Sequence, residues 1–412
     1  MIKILHTADI HLDSPLGTLA LRDENLRQKV QTATRSAFQK IIDLALAENV
    51  RALLISGDLY DGTQRSAPTA AFLREQLNRL REKNIAVFYI KGNHDAESPI
   101  TGNVNLPDNV RVFSERGEKV QIEGTDIFVH GVSFSGKHAP DSLLDKFQAP
   151  EPGSVNIAML HTSLAGSAGH DNYAPCSVND LTDMGFDYWA LGHVHKRRVY
   201  SQSPFIVMPG IPQGRDIGEA GAKSVTLLTV DNGRISIEER HSAQVEFHRR
   251  EVDLTGADSE DDVRQRIRAG LLDAVRGLCS ENGIFRVTLT GKTPLYWLLL
   301  RDRDTWEETV HRMAEDIGRL WIEKLDFHLE KQSLDQADAG AVGELAAMMR
   351  DIFQEEGFQV QALAGMDDVI RQLPKSERDK LLPDEASRLS LTDTLAQSGM
   401  QHIVVRMKGA GQ

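Results

Sequence analysis

Short apolar runs alternate with amphipathic stretches from the first residues to about Asp231, the pattern of strands buried in a layered α/β domain. Ile2 to Leu5, Leu53 to Ser56, Val87 to Ile90, Ile127 to Val132, Ile157 to Leu160 and Trp189 to Leu191 read as strands. Between the first two, Leu26, Val30, Ala33, Ala37, Ile41 and Leu44 recur at helical spacing, and Phe38 and Ile42 widen the apolar face. That predicts an amphipathic helix over Glu24 to Asn49. A second helix is predicted from Ala67 to Lys83, with Pro68 in its first turn and Leu73, Leu77 and Leu80 on one face. Helical crossovers of this kind make the early strands parallel.

Ser224 to Val230 and Arg234 to Glu238 flank Asp231-Asn232-Gly233, a hairpin signal, and a domain boundary is placed near residue 242. Beyond it the chain reads strand, helix, strand, helix, strand: Glu246 to Leu254, Glu260 to Gly277, Phe285 to Thr290, Trp306 to Gly318 and Leu325 to His328. This is the pattern of a small α+β domain over 243–331. Residues 332–412 are predicted to be mostly helical, Val342 to Glu356 being the best element. Leu345, Met348, Met349, Ile352 and Phe353 fall on one face of it, suited to docking on a partner or to packing back on the preceding domain.

A length of 412 residues allows two or three domains, and 41% hydrophobic with 26% charged residues excludes disorder as a description of the whole chain. Two cysteines, Cys176 and Cys279, exclude a disulfide scaffold and a cysteine-based zinc site. The formal charge of -13 means that any contact with nucleic acid must be local rather than driven by the whole molecule. No apolar run approaches the roughly 18 residues of a membrane span, and the first residues do not resemble a secretory signal, so a cytoplasmic protein is expected.

Chemistry gathers after the predicted strands. Asp9-Ile10-His11 follows the first, Gly57-Asp58-Leu59-Tyr60-Asp61 the second, and Gly92-Asn93-His94-Asp95 the third. Later strands deliver His161 and Gly192-His193-Val194-His195. Strand ends of a parallel or mixed sheet lie along one edge, where five such loops can converge. Asp9, His11, Asp58, Asn93, His161, His193 and His195 mix hard oxygens with imidazoles, a donor set for Mn, Fe, Zn or Co rather than calcium. Seven ligands exceed one tetrahedral site. If Asp58 bridges, they divide into two sites of four, with space for a nucleophilic water between cations about 3.5 to 4 Å apart. An isolated Asp-x-His or Gly-Asp means little; the ordered conjunction of all five blocks, each after a strand, is what points to a dinuclear hydrolase.

These blocks resemble the signature of the calcineurin-like metallophosphoesterases: Asp-x-His, Gly-Asp-x-x-Asp, Gly-Asn-His, a strand-end His, and Gly-His-x-His. Within them the chain is similar to SbcD-type DNA repair exonucleases of the YhaO branch. That similarity is carried by His6-Thr7-Ala8-Asp9-Ile10-His11-Leu12-Asp13-Ser14-Pro15, by Gly169-His170-Asp171-Asn172-Tyr173-Ala174-Pro175-Cys176 and by Pro209-Gly210-Ile211-Pro212-Gln213-Gly214-Arg215. It covers about residues 1 to 230, with only the layout alike beyond. The resemblance implies a four-layer α/β fold, a β-sandwich flanked by helices, over residues 1–242, with an α+β cap over 243–331 and a helical, ATPase-docking segment over 332–412. It implies one metal, expected to be Mn, on Asp9, His11, Asp58 and His195, and another on Asp58, Asn93, His161 and His193. His94 would stay off both ions and orient the phosphate or protonate the leaving oxygen. Asp61 stands where nuclease relatives from archaea and eukaryotes carry histidine, which leaves the role of that position open.

Lys196, Arg197 and Arg198 follow His195 and are candidates for tracking a DNA backbone, with a solvated surface as the alternative. Arg215 could meet a phosphate or pair with Asp216 or Glu219, and His170 with Asp171 could line the substrate groove or fix their loop. His130, His138, His241, His248, His311, His328 and His402 fit no block and read as structural or surface residues. The resemblance implies a DNA exonuclease subunit acting on DNA ends, partnered by an SMC-like coiled-coil ATPase of the SbcC or YhaN kind, with homodimerisation through the first domain. The alternatives are a phosphoesterase of nucleotides, cyclic nucleotides or phosphoproteins, and a non-catalytic binding subunit.

Overall fold

The structure, a computed structural model, describes residues 1–14, 30–61, 67–97, 106–164, 173–331, 341–374, 378, 382 and 384–409. In chain order its first part is β1 (Ile2–Thr7), α1 (Ala33–Ala47), β2 (Ala52–Ser56), α2 (Ala67–Arg81), β3 (Ala86–Ile90), α3 (Asn93–Glu97), β4 (Val110–Val112), β5 (Glu118–Gln121) and β6 (Ile127–Gly131). There follow β7 (Val155–His161), α4 (Val178–Asp183), β8 (Tyr188–Gly192), β9 (Arg198–Gln202), β10 (Phe205–Met208), β11 (Ser224–Asp231) and β12 (Arg234–His241). Six of these strands form one sheet in the order β12-β11-β1-β2-β3-β4, and six the other in the order β5-β6-β7-β8-β10-β9. As the helical crossovers require, β1 pairs in parallel with β2 and β2 with β3. β6 to β8 are parallel too.

Alternation along each strand builds the layers. Ile4, Leu54, Phe88 and Ile90 of the first sheet meet Ile157, Met159, Tyr188 and Ala190 of the second in one core. Leu5, Leu53, Ile55 and Val87 point the other way, against Phe38 and Ile41 of α1 and Leu73 and Leu77 of α2. On the far side Leu160, Trp189 and Leu191 pack with Leu181 and Phe186. The four-layer sandwich expected from the sequence is therefore present. The part of the predicted first helix before Val30 lies outside the described residues. β4, β5, β9 and β10 are strands beyond those predicted from the sequence, although β10 is itself an apolar run with three buried positions. β4, β5 and β9 carry no fully buried position, so they have no apolar signal of their own.

His6 lies in this inter-sheet region with no exposed surface. Its Nε2 donates to the Leu191 carbonyl at 3.1 Å, which makes Nδ1 the acceptor of the Tyr188 hydroxyl at 2.9 Å. Burial drives its pKa from 6.5 down to about 3. The unfolded chain binds a proton that the folded chain refuses, so stability is full above pH 6.5 and is lost as pH falls towards 3. Between pH 6.5 and 4.5 the expected loss is about 2 to 3 kcal/mol. Urea midpoints of the wild type and of His6→Asn across that range test this: the variant should show the flatter pH dependence, and equal slopes would refute it.

Contacts divide the chain into two compact units, 1–249 with 274–286 and 319–323, and 250–273 with 287–318 and 324–412. The remaining elements are β13 (Val245–Asp253), α5 (Glu260–Arg276), β14 (Asn282–Thr293), α6 (Tyr296–Arg301), α7 (Arg303–Ile317), β15 (Leu320–Lys331), α8 (Ala341–Gln354), α9 (Glu356–Ile370) and α10 (Glu385–Gly409). β13, β14 and β15 form a third sheet in that order. Within the second unit, Phe353, Phe358, Leu363, Leu389 and Ala396 line a small cavity of about 140 Å³ among the last three helices. Met348, Ile352, Val360, Val369 and Leu395 remain exposed on those helices.

Candidate metal centre

All seven candidate ligands stand at or just after the carboxyl ends of β1, β2, β3, β7 and β8. Asp9, His11, Asp58 and His193 adopt positive φ (52°, 45°, 51° and 101°), a region that is costly for residues with a Cβ and held only where surroundings impose it. Here the surroundings are backbone pairs between loops: Asp9 donates to the Gly57 carbonyl and His11 to the Asp58 carbonyl, each at 3.0 Å. A Cβ on Gly57, itself at φ +93°, would overlap the His161 ring, and one on Gly92 would overlap the Asp58 carboxylate. These two positions exclude a side chain because the site lies against them.

The ligand atoms of Asp9, His11 and His195 all lie within 4.8 Å of one another, as do those of Asp58, His161 and His193, and of His11, Asp58 and His94. Asp58 links the groups, its Oδ2 being 3.3 Å from His161 Nε2 and 4.0 Å from His11 Nε2. Asn93 Oδ1 is 3.1 Å from His161 Nε2. The sequence blocks are thus brought to one place, as two neighbouring clusters with Asp58 between them. The third grouping brings His94 near enough to serve as a ligand as well, beyond the role the sequence suggested.

The donor set fits cations. His161 Nδ1 faces the Ser56 carbonyl at 2.9 Å and must carry the hydrogen, so in the neutral ring the Nε2 lone pair converges with the oxygens of Asn93 and Asp58. Likewise His195 Nδ1 lies 2.6 Å from Glu219 Oε1, which leaves its Nε2 lone pair 3.3 Å from His11 Nε2. Acceptors aimed at one another in a buried pocket call for positive charge between them. Without metal a proton supplies it. Burial opposes the charge on His161, but the Asp58 carboxylate outweighs it and raises the pKa to about 9. Burial likewise opposes the charge on Asp58, yet the surrounding imidazoles of His161, His11 and His94 hold its carboxyl well below the usual carboxylate range. Burial lowers the pKa of His94, which is more open than His11, His161 and His195.

Asp61 sits between two imidazoles, its Oδ1 3.6 Å from His11 Nδ1 and 3.5 Å from His94 Nδ1. The neighbouring His11 imidazole holds its carboxyl well below the usual carboxylate range. Two further residues take part in the site that the sequence blocks do not assign to it. Asp95, fully buried, accepts the backbone N–H of Leu59 at 2.9 Å, of Tyr60 at 3.1 Å and of Gly92 at 3.0 Å, clamping the loop of Asp58 to that of Asn93. Burial and the charge of Asp58 push its carboxyl up to about 6. Its place in Gly-Asn-His-Asp was the available signal. Glu219 appeared only as a mate for Arg215, because its contact with His195 spans 24 residues.

Among the basic candidates, Lys196 and Arg198 are exposed, Arg198 lying over the Tyr200 ring. Arg197 instead donates to Thr226 at 2.6 Å and pairs with Glu239 at 3.3 Å, and Arg215 is bound to Glu219 at 3.0 Å. His170 and Asp171 lie outside the described residues. His130 is buried against Asn156 and His248 pairs with Glu246, as structural residues would. Among the described residues, no helix is long and apolar enough to cross a membrane.

The calcineurin-like phosphoesterase family matches residues 2–197, and the family described as metallophosphoesterase YhaO, middle domain, matches residues 247–330. The "uncharacterized metallophosphoesterase YhaO" of Bacillus subtilis is 33% identical over 81% of this chain and 83% of its own length. The DNA double-strand break repair protein Mre11 of Methanopyrus kandleri is 24% identical over 65% of this chain and 63% of its own length. A solved dimetal phosphatase from Danio rerio aligns over 58% of this chain and 96% of its own at 10% identity, with a TM-score of 0.38.

Proposed function

The chain belongs to the calcineurin-like metallophosphoesterases of the YhaO kind, and from that premise we propose that it is a dinuclear phosphodiesterase that shortens DNA from its ends. The observation that carries this reading is the shared position of Asp58, within reach of both His161 and His11. A carboxylate so placed joins Asp9, His11 and His195 on one side to Asn93, His161 and His193 on the other. Two divalent ions, Mn in the first instance, would supply Lewis-acid activation of water and neutralise the phosphodiester charge. The chain's own residues then have defined tasks. Asp58, Asp9 and Asn93 offer oxygens, the four histidines offer Nε2 or Nδ1, and Ser56 fixes the tautomer of His161. His94, at the open side, is placed to hold a phosphate oxygen or hand a proton to the leaving oxygen.

The DNA substrate is supported by the similarity to a protein named for DNA double-strand break repair and by exposed Lys196 and Arg198 beside His195. One observation favours a smaller phosphodiester: Arg197 and Arg215 are already engaged by Thr226 and Glu219, in a chain of net charge -13. A coiled-coil ATPase partner would resolve this by bringing basic surface of its own, and the exposed apolar residues of α8 to α10 suit such a partner. Mn-dependent release of nucleotides from linear duplex DNA, compared with hydrolysis of bis(p-nitrophenyl) phosphate, decides between the substrates. Duplex ends are expected to be degraded in Mn and spared in chelator. Hydrolysis confined to the small diester would remove the nuclease assignment.

A further inference from the structure

Glu219 occupies a tight turn behind the metal centre. Asp216 closes that turn, its Oδ1 accepting the Gly218 N–H at 2.7 Å and its carbonyl the Glu219 N–H at 3.1 Å. The Glu219 carboxylate is mostly shielded and has two sets of partners. Oε1 lies 2.6 Å from His195 Nδ1 and 3.0 Å from Arg215 Nη2, and Oε2 accepts the Arg215 backbone N–H at 2.8 Å. We propose that Glu219 is a positioning residue of the metal centre, which sets the tautomer and direction of His195 and is itself balanced by Arg215.

The geometry leaves His195 one arrangement as a neutral ring. A carboxylate oxygen can only accept, so Nδ1 carries the hydrogen and Nε2 presents its lone pair to the side where His11 Nε2 stands 3.3 Å away. Arg215 Nη2, 3.3 Å from Nδ1, cannot donate to a nitrogen that already bears a hydrogen; it shares Oε1 instead. A carboxylate accepting from the far side of an imidazole makes the near nitrogen a stronger ligand. Unbalanced, the same carboxylate would repel an anionic substrate. The guanidinium cancels that charge, which gives Arg215 a task distinct from reading a phosphate.

This rests on the reading of His195 as a ligand of one of two ions. The test is titration of metal-free full-length chain with MnCl2, followed by calorimetry and by counting Mn retained after dialysis, for wild type, Glu219→Gln, Glu219→Ala and His195→Ala. Glu219→Ala should weaken one of the two sites about 10- to 100-fold and leave the other unchanged, and Glu219→Gln, whose amide oxygen still accepts from Nδ1 but carries no charge, should weaken the same site by less. His195→Ala should weaken the same site. Thermal unfolding of the metal-free proteins controls for folding, and the isosteric Gln variant carries the test where Ala does not fold. Two ions bound with wild-type affinity by the Glu219 variants would overturn the inference alone, as would a lower unfolding temperature with unchanged affinity. A wild-type chain that takes up no Mn would overturn it together with the dinuclear reading.

Discussion

Asp58→Ala is expected to lose at least about 10³-fold in phosphodiester hydrolysis and to retain at most one Mn ion per chain. The magnitude follows from what the side chain does. Its carboxylate stands 3.3 Å from His161 Nε2 and 4.0 Å from His11 Nε2, so both clusters lose an oxygen at once. Its Oδ1 also accepts the His94 N–H at 3.0 Å, so alanine removes one of the bonds that hold the Gly92-Asn93-His94 loop as well. Asp58→Asn separates these effects, because an amide oxygen still accepts from His94 but carries no charge to bridge two cations. Mn counting by elemental analysis and a DNA-end assay on the same preparations check it. Full activity in Asp58→Asn would show that cleavage arises elsewhere.

The opposite pattern is expected for His94→Ala: both ions kept, turnover reduced about 10²- to 10⁴-fold. His94 is more exposed than His11, His161 and His195, packed edge-on to His11 with ring centroids 4.9 Å apart and held by Asp61 at 3.5 Å. It is therefore anchored on one side and open on the other, as a group that meets substrate must be. Its proximity to His11 and Asp58 makes the outcome informative. Loss of an ion in His94→Ala would make it a ligand and end its assignment as the proton-bearing or phosphate-orienting group. Burial lowers its pKa, and with Nδ1 facing the Asp61 carboxylate only the protonated ring has a second N–H to give a phosphate oxygen.

Some of this was legible before any coordinates. Buried strands such as β2 and β7 consist of consecutive buried residues, and their apolar runs announced them. The ligand blocks were readable for a related reason: each is short, follows a strand, and keeps its donors within a few residues. Exposed β9 gave no such signal, and neither did the partners of the basic residues. Arg197 looked free beside Lys196 and Arg198 and instead reaches Thr226 on β11, 29 positions away. Arg215 offered two readings in sequence, and the structure gives the pairing with Glu219.

What the amino-acid order determined by itself is local: periodicity selects strand or helix, and each strand end carries its own oxygen or imidazole. Which donors share a point, which tautomer each ring holds, and which carboxylate stands behind His195 or clamps two loops, as Asp95 does, depends on contacts between segments tens to hundreds of residues apart. Such contacts exist only after two sheets have packed face to face and aligned their strand ends, because hydrogen-bond geometry is set to tenths of an ångström by the whole core and by no single stretch of chain.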